Sequence, residues 1–112
     1  MNGRSLRASI NQQEVGSLQE VAGLWSFQYA ASWLNHPQAF ALSPHLPLSA
    51  EPLLDGASQR PVQWYFDNLL PEEGQRTLLA GDARLDAADA FGLLAWYGAE
   101  SAGSLTLLPP EA

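Results

Sequence analysis

The stretch SLRASINQQEVGSLQEVAGLWSFQYA (residues 5–30) decides the fold. Leu6, Ala8 and Ile10 alternate with Arg7, Ser9 and Asn11, the period of a half-buried strand. NQQ reads as a turn and EVGSL as the returning strand. In AGLWSFQYA, Trp25, Phe27 and Tyr29 share one face while Ser26 and Gln28 share the other, and aromatic side chains suit a pleated surface. Three strands joined by short polar or glycine-containing turns make an antiparallel meander.

Beyond this meander the pattern changes. SWLNHP (32–37) predicts a single helical turn, capped by Ser32 and stopped before Pro37. ALSPHLPLSAEP (41–52) is extended and irregular, because Pro44, Pro47 and Pro52 cannot donate to a strand ladder. LDGASQR (54–60) reads as a polar loop. Pro61 suits a first helical turn, and Val62, Phe66, Leu69 and Leu70 then fall on one helical face. Pro71 ends that helix and begins the next, with Glu72 and Glu73 near its positive N-terminal end and Gly81 as its stop. DAADAFGLLAWYG (86–98) predicts a last helix with Asp86 as cap, Asp89 three residues later and Gly98 just past the end. GSLTLLP (103–109) is one more strand, with Leu105 and Leu107 on one side. Strands, an irregular segment, helices and a final strand predict an α+β domain, an antiparallel sheet with helices packed on one face.

Composition sets the bounds. A length of 112 residues suits one domain, and 46% hydrophobic residues suffice for a core. The absence of cysteine excludes disulfides and thiolate metal sites and fits a cytoplasmic protein. The N-terminus lacks the apolar run of a signal peptide, and no apolar stretch approaches the ~20 residues of a spanning helix, so no membrane role is expected. The net charge is −7, with no lysine. Arg4, Arg7, Arg60, Arg76 and Arg84 are scattered, whereas phosphate backbones are held by clustered cations, so direct nucleic-acid binding is not expected. The acidity serves solubility or meets a basic partner.

VGSL (15–18), WSFQYAASWL (25–34), LSPHLPLS (42–49), FDNLLPEEGQR (66–76) and DAFGLLAWYGAESAGSLTLLP (89–109) follow one another in this order. On these blocks the chain resembles the N-terminal subdomain of HipA-type toxin kinases, bacterial Ser/Thr kinases of toxin–antitoxin systems, over roughly residues 5–109. FDNLLPE is the most specific block. Pro44 interrupts the family's usual PLSLSLPL run, and Glu100 and Ser101 stand where members often have Asp-Cys. The family's kinase core is missing: there is no Gly-rich phosphate loop, no strand lysine and no catalytic-loop Asp/Asn pattern. No catalytic residue and no cofactor are therefore expected. The resemblance implies one of two things. In split, HipBST-type systems a small HipS-like protein matching this subdomain serves as antitoxin to a separate HipA-like (HipT-like) kinase, with a helix-turn-helix repressor as a third member of the complex. Alternatively the chain is the N-terminal subdomain of a full-length toxin kinase. A start at Met1 and an end at LLPPEA without a linker favour the free-standing protein.

The residues offer little other chemistry. His36 and His45 lie in proline-flanked loops without metal-ligand spacing. Glu72 and Glu73 are adjacent, so on a helix they point about 100° apart and cannot face one bond together. Asp67 and Asn68 stabilise the turn before Pro71 or touch a partner. Ser43, Ser49 and Ser101 have no visible base. Trp64 stands out: it lies two residues from both Val62 and Phe66, on the opposite helical face. It either inserts into a partner pocket or packs under LSPHLPLS. Trp64, Asp67, Glu72 and Glu73 are the expected partner-binding residues. Trp25 and Trp33 are expected in the core or at its edge, and Tyr65 at its margin.

Overall fold

A computed structural model describes residues 3–70, 73–86, 88–97 and 105–108. Its sheet contains β1 (Arg4–Ile10), β2 (Gln13–Val21), β3 (Leu24–Tyr29), β4 (Leu53–Leu54) and β5 (Leu105–Leu108), in the order β4-β3-β2-β1-β5 with every pairing antiparallel. The helices are α1 (Ala31–Leu34), α2 (Pro61–Asp67), α3 (Glu73–Ala83) and α4 (Ala90–Tyr97). This is the α+β class expected from the sequence. None of the described helices is long and apolar enough to cross a membrane.

Both hairpins turn in two residues. Asn11 and Gln12 have φ of 50° and 69°, and Ala22 and Gly23 have 55° and 84°. Positive φ at both central positions matches the right-handed twist of the strands they join. Directly opposed residues share a face, so the register defines the layers. Leu6, Leu18, Phe27 and Leu53 form one cross-strand row, with Leu107, Ala8, Gly16 and Tyr29 beside it. These rows carry the buried side chains, over which α2 and α4 pack. The opposite face presents Ser5, Arg7, Ser17, Gln19, Ser26 and Gln28, none of them buried. A bulge shifts the register between Ala8 and Ser9, and Val15, the extra residue on β2, is fully buried.

Gly16 sits where the sheet has no room. A Cβ there would strike the backbone carbonyl of Gln28 and would lie 2.6 Å from Cζ of Phe27. Gly81 is the opposite case. Expected as a helix stop, it lies inside α3 with nothing within 4 Å of a Cβ. The helix ends instead at Arg84, whose φ of 59° is left-handed. Leu85 N–H donates to the Ala80 carbonyl at 2.8 Å and Arg84 N–H to that of Gly81 at 3.3 Å, a Schellman arrangement with arginine in the usual glycine place.

Two further expectations are corrected. Ser32 lies inside α1, whose N-cap is Ala30 without a side-chain bond, since the helix enters directly from β3. Asp86 bonds the N–H of Ala88 in a local turn, while α4 is capped by Asp89, which accepts from Gly92 N–H at 3.2 Å. Pro71, Glu72, Gly98, Glu100 and Ser101 lie outside the described residues.

Asp89 does more than cap. The Arg4 guanidinium meets both of its oxygens at 3.1 Å, bonds Glu20 at 2.8 Å and lies 5.0 Å from the Phe91 ring centre. One arginine thus ties β1, β2 and the start of α4 together. Its hydrogen bonds hold the Asp89 and Glu20 carboxyls below their ordinary range.

Two expectations follow from these contacts. Gly16→Ala destabilises the domain by about 3 kcal/mol, whereas Gly81→Ala stabilises it by about 1 kcal/mol; urea denaturation reads both. A carboxylate whose folded pKa is depressed contributes stability that is complete above its unfolded pKa and lost as pH falls through the folded one. Melting temperature therefore drops as pH falls below about 4. Arg4→Met flattens that drop and costs about 1 kcal/mol at neutral pH, because solvent screens the half-exposed guanidinium.

Candidate functional site

α2 has only seven residues, too few to be stable alone, so its placement comes from what surrounds it. Its inner face is Val62 and Phe66, both fully buried, and Phe66 stacks at a tilt on Phe27 with ring centres 5.4 Å apart. Tyr65 rests at the core margin, edge-on to Phe66, and burial raises its phenol pKa.

The helix start is fully bonded. Pro61 has no N–H, and Val62 and Gln63 donate to the two carboxylate oxygens of Asp55 at 2.8 and 2.9 Å. Trp64 N–H reaches the Arg60 carbonyl at 2.9 Å. Asp55 is itself 7% exposed and fixed to β3 through its own N–H, 3.0 Å from the Trp25 carbonyl. Of the segment expected to be a polar loop, residues 54–60, Leu54 ends the edge strand β4 and Asp55 is a buried cap, while residues 56–60 are an exposed loop.

The other end of α2 explains the FDNLL block. Asn68 Nδ2 donates to the Trp64 carbonyl at 2.7 Å. Arg76 on α3 reaches the Asp67 carboxylate at 3.1 Å and the Asp67 carbonyl at 3.2 Å, and Leu70 is buried. Phe66 and Leu70 thus anchor the helix while Asp67 and Asn68 close its end.

Trp64 projects from the outer face and is 61% exposed. It also meets the proline-rich segment: the His45 ring stands perpendicular to it at 6.2 Å. That segment is a strap held down by the sheet. Tyr29 donates its hydroxyl to the Leu46 carbonyl and accepts the Leu42 N–H at 2.9 Å. Trp33 Nε1 bonds the Phe40 carbonyl at 3.1 Å, and Leu46 is fully buried. Burial raises the Tyr29 phenol pKa. Trp25 and Trp33 are core residues, while Trp96 is exposed.

Between the strap, α2 and the turn before α4 lies an open groove of about 750 Å³, lined by His45, Arg60, Trp64, Asp67, Ala88 and Ala90 among others. Of the four residues singled out in the sequence, Trp64 and Asp67 share this groove. Glu72 lies outside the described residues, as does the side chain of Glu73, which begins α3. Asp67 is already paired with Arg76. His45 and Asp55 were not read as part of the site; for Asp55 the one signal is a carboxylate six residues ahead of a helix-opening proline. The described residues contain no cluster of three or more His, Asp or Glu that could hold a metal ion.

The HipA N-terminal domain family model matches residues 6–108. The chain is 39% identical over 85 residues to a Sinorhizobium fredii protein named "Putative kinase Y4mE", covering 76% of this chain and 19% of the relative. Among solved structures it is similar to a chain of the Shewanella oneidensis MR-1 toxin–antitoxin complex of HipA, HipB and operator DNA, with a TM-score of 0.77 and 24% identity, over 96% of this chain and 24% of that one. The chain therefore spans about a fifth of the curated relative's length and about a quarter of the structural neighbour's.

The strap yields a test. Tyr29→Phe strands the Leu42 N–H and the Leu46 carbonyl, and it costs about 1–3 kcal/mol in thermal or chemical denaturation. Protease cleavage within residues 39–50 should rise with it.

Proposed function

The chain belongs to the HipA N-terminal domain family, and on that premise we propose that it is a non-catalytic antitoxin that binds and suppresses a separate HipA-like Ser/Thr kinase. The observation that carries this reading is Trp64. A large aromatic 61% exposed on the outer face of a helix anchored by Phe66 is the kind of residue that becomes an interface hot spot. In this reading the indole enters a groove of the kinase, and the open groove beside it receives part of the kinase surface in return. Glu72 and Glu73 supply negative charge toward the basic residues that handle phosphate. Asp67, bonded to Arg76, contributes less charge and more helix geometry. A helix-turn-helix repressor completes a ternary complex in the cytoplasm, and contact with DNA falls to that repressor, because the five arginines here are scattered.

A second reading has its own support. The match to 19% of a kinase-named relative fits the N-terminal domain of a full-length toxin kinase, packed on the kinase core. Gene length separates the two: a reading frame that stops after Ala112 beside a kinase gene favours the antitoxin, and one that continues favours the kinase domain.

Co-purification with the HipA-like kinase of the same genome, followed by a phosphorylation assay with and without this chain, tests the proposal. Antitoxin action requires a stable complex with suppressed activity; a complex of undiminished activity makes the chain a structural subunit. Trp64→Ala should weaken the complex by roughly 2 kcal/mol or more, while folding stability shifts by no more than about 0.5 kcal/mol, as for an exposed site. Unchanged affinity with an intact fold removes Trp64 from the mechanism.

A further inference from the structure

The geometry points to Asp55 as the positioning residue for Trp64, the group through which the sheet edge sets the direction of the exposed indole. This inference rests on the reading of Trp64 as the kinase anchor.

Asp55 is one of two buried polar or charged residues among those described, and its carboxylate is spent on α2 alone. Its two oxygens take the two free N–H groups of the first turn, those of Val62 and Gln63. The residue in the ordinary capping place, Arg60, makes no side-chain cap, and Pro61 follows it. The capping group therefore comes from outside the helix, five positions before Arg60, across a turn closed by Gly56 N–H on the Gln59 carbonyl at 2.8 Å. Asp55 in turn has its backbone N–H on Trp25 and follows directly on Leu53 and Leu54, which pair with Phe27 and Ser26.

Arg76 and Asn68 hold the far end of this seven-residue helix, and two things orient its first turn. Val62 and Phe66 fix which face points inward, but apolar packing is not directional and leaves the helix free to tilt or slide. Two hydrogen bonds to one carboxylate fix the position of the first turn, and Trp64 is the next residue after the bonded pair. A charged acceptor bonding two backbone donors is among the stronger and more directional contacts available. Removing it releases the end of α2 that carries the indole, while the Phe66 end stays in the core.

Asp55→Asn is the variant of choice. It keeps the size but replaces one acceptor oxygen with an NH2 that faces a backbone N–H. In the unmutated protein the Val62 and Gln63 amides should be protected from hydrogen exchange, although first-turn amides ordinarily exchange freely; exchange at the unprotected rate would overturn the inference even if the variant fails to fold. In Asp55→Asn the Trp64 indole NMR resonance, assigned with Trp64→Phe, should move while those of Trp25 and Trp33 stay. Affinity for the HipA-like kinase should fall about tenfold in the Trp64 background and be unaffected in the Trp64→Ala background. An equal loss in both backgrounds means that Asp55 acts on the fold at large, and the inference falls. If Trp64→Ala itself leaves affinity unchanged, the antitoxin anchor is wrong, and the indole resonance alone decides whether Asp55 positions Trp64.

Discussion

The contact between Phe27 and Phe66 is the joint on which this structure turns. Phe27 stands in the middle of the buried row Leu6, Leu18, Phe27 and Leu53, and it meets Tyr29 edge-on and Phe66 at a tilt. Much of the local sequence answers to its size. The residue at position 16 must be glycine because the Gln28 carbonyl and the Phe27 ring together occupy the space a side chain would need. α2 lies over β3, where Phe66 is buried against Phe27. Once Phe66 points inward, helical periodicity turns Trp64 outward. The exposed indole is thus a consequence of core packing, and its availability to a partner comes with the fold.

Around that joint, polar contacts supply the directions that apolar packing cannot. Asp55 holds the start of α2, Asn68 and Arg76 hold its end, and Arg4 holds the start of α4 against β1 and β2. Tyr29 and Trp33 stitch the proline-rich strap to the sheet and to α1 with side-chain bonds, a necessity where prolines prevent the strap from forming a ladder of its own. In each case a short or irregular element is oriented by one side chain from a neighbouring one.

This division explains what was legible in the sequence. The meander, the Val62 and Phe66 face of α2 and the final strand were readable because alternation and helical spacing are local signals, and Leu105 and Leu107 fall where the period puts them; α2 itself stops at Asp67, so Leu69 and Leu70 lie past its end and not on its face. So was the outward direction of Trp64, which follows from Val62 and Phe66. Less was visible of whatever depends on residues far apart in the chain. Asp55 looks like loop polarity until the fold brings Val62 to it, and Arg4 finds Asp89 across 85 positions. Helix-end chemistry misled in the opposite way: Gly81 resembled a helix stop, yet Arg84 takes the left-handed place, with Leu85 partly buried against the core just beyond. Asp89 rather than Asp86 caps α4 for a similar reason, since only Asp89 also meets Arg4.

The position of β5 has a consequence for how the chain comes to be folded. β1 is made before its partners, and on one side β2 follows at once across a two-residue turn. Its partner on the other side is β5, with Arg7 opposite Leu108, so that edge waits until Leu105–Leu108 has been made. Loop closure over such a span is slow relative to hairpin formation. During synthesis the hairpins and α2 can assemble first while β1 keeps one open edge, a template for pairing with other nascent strands. Until β5 arrives, that side of β1 stays unsealed.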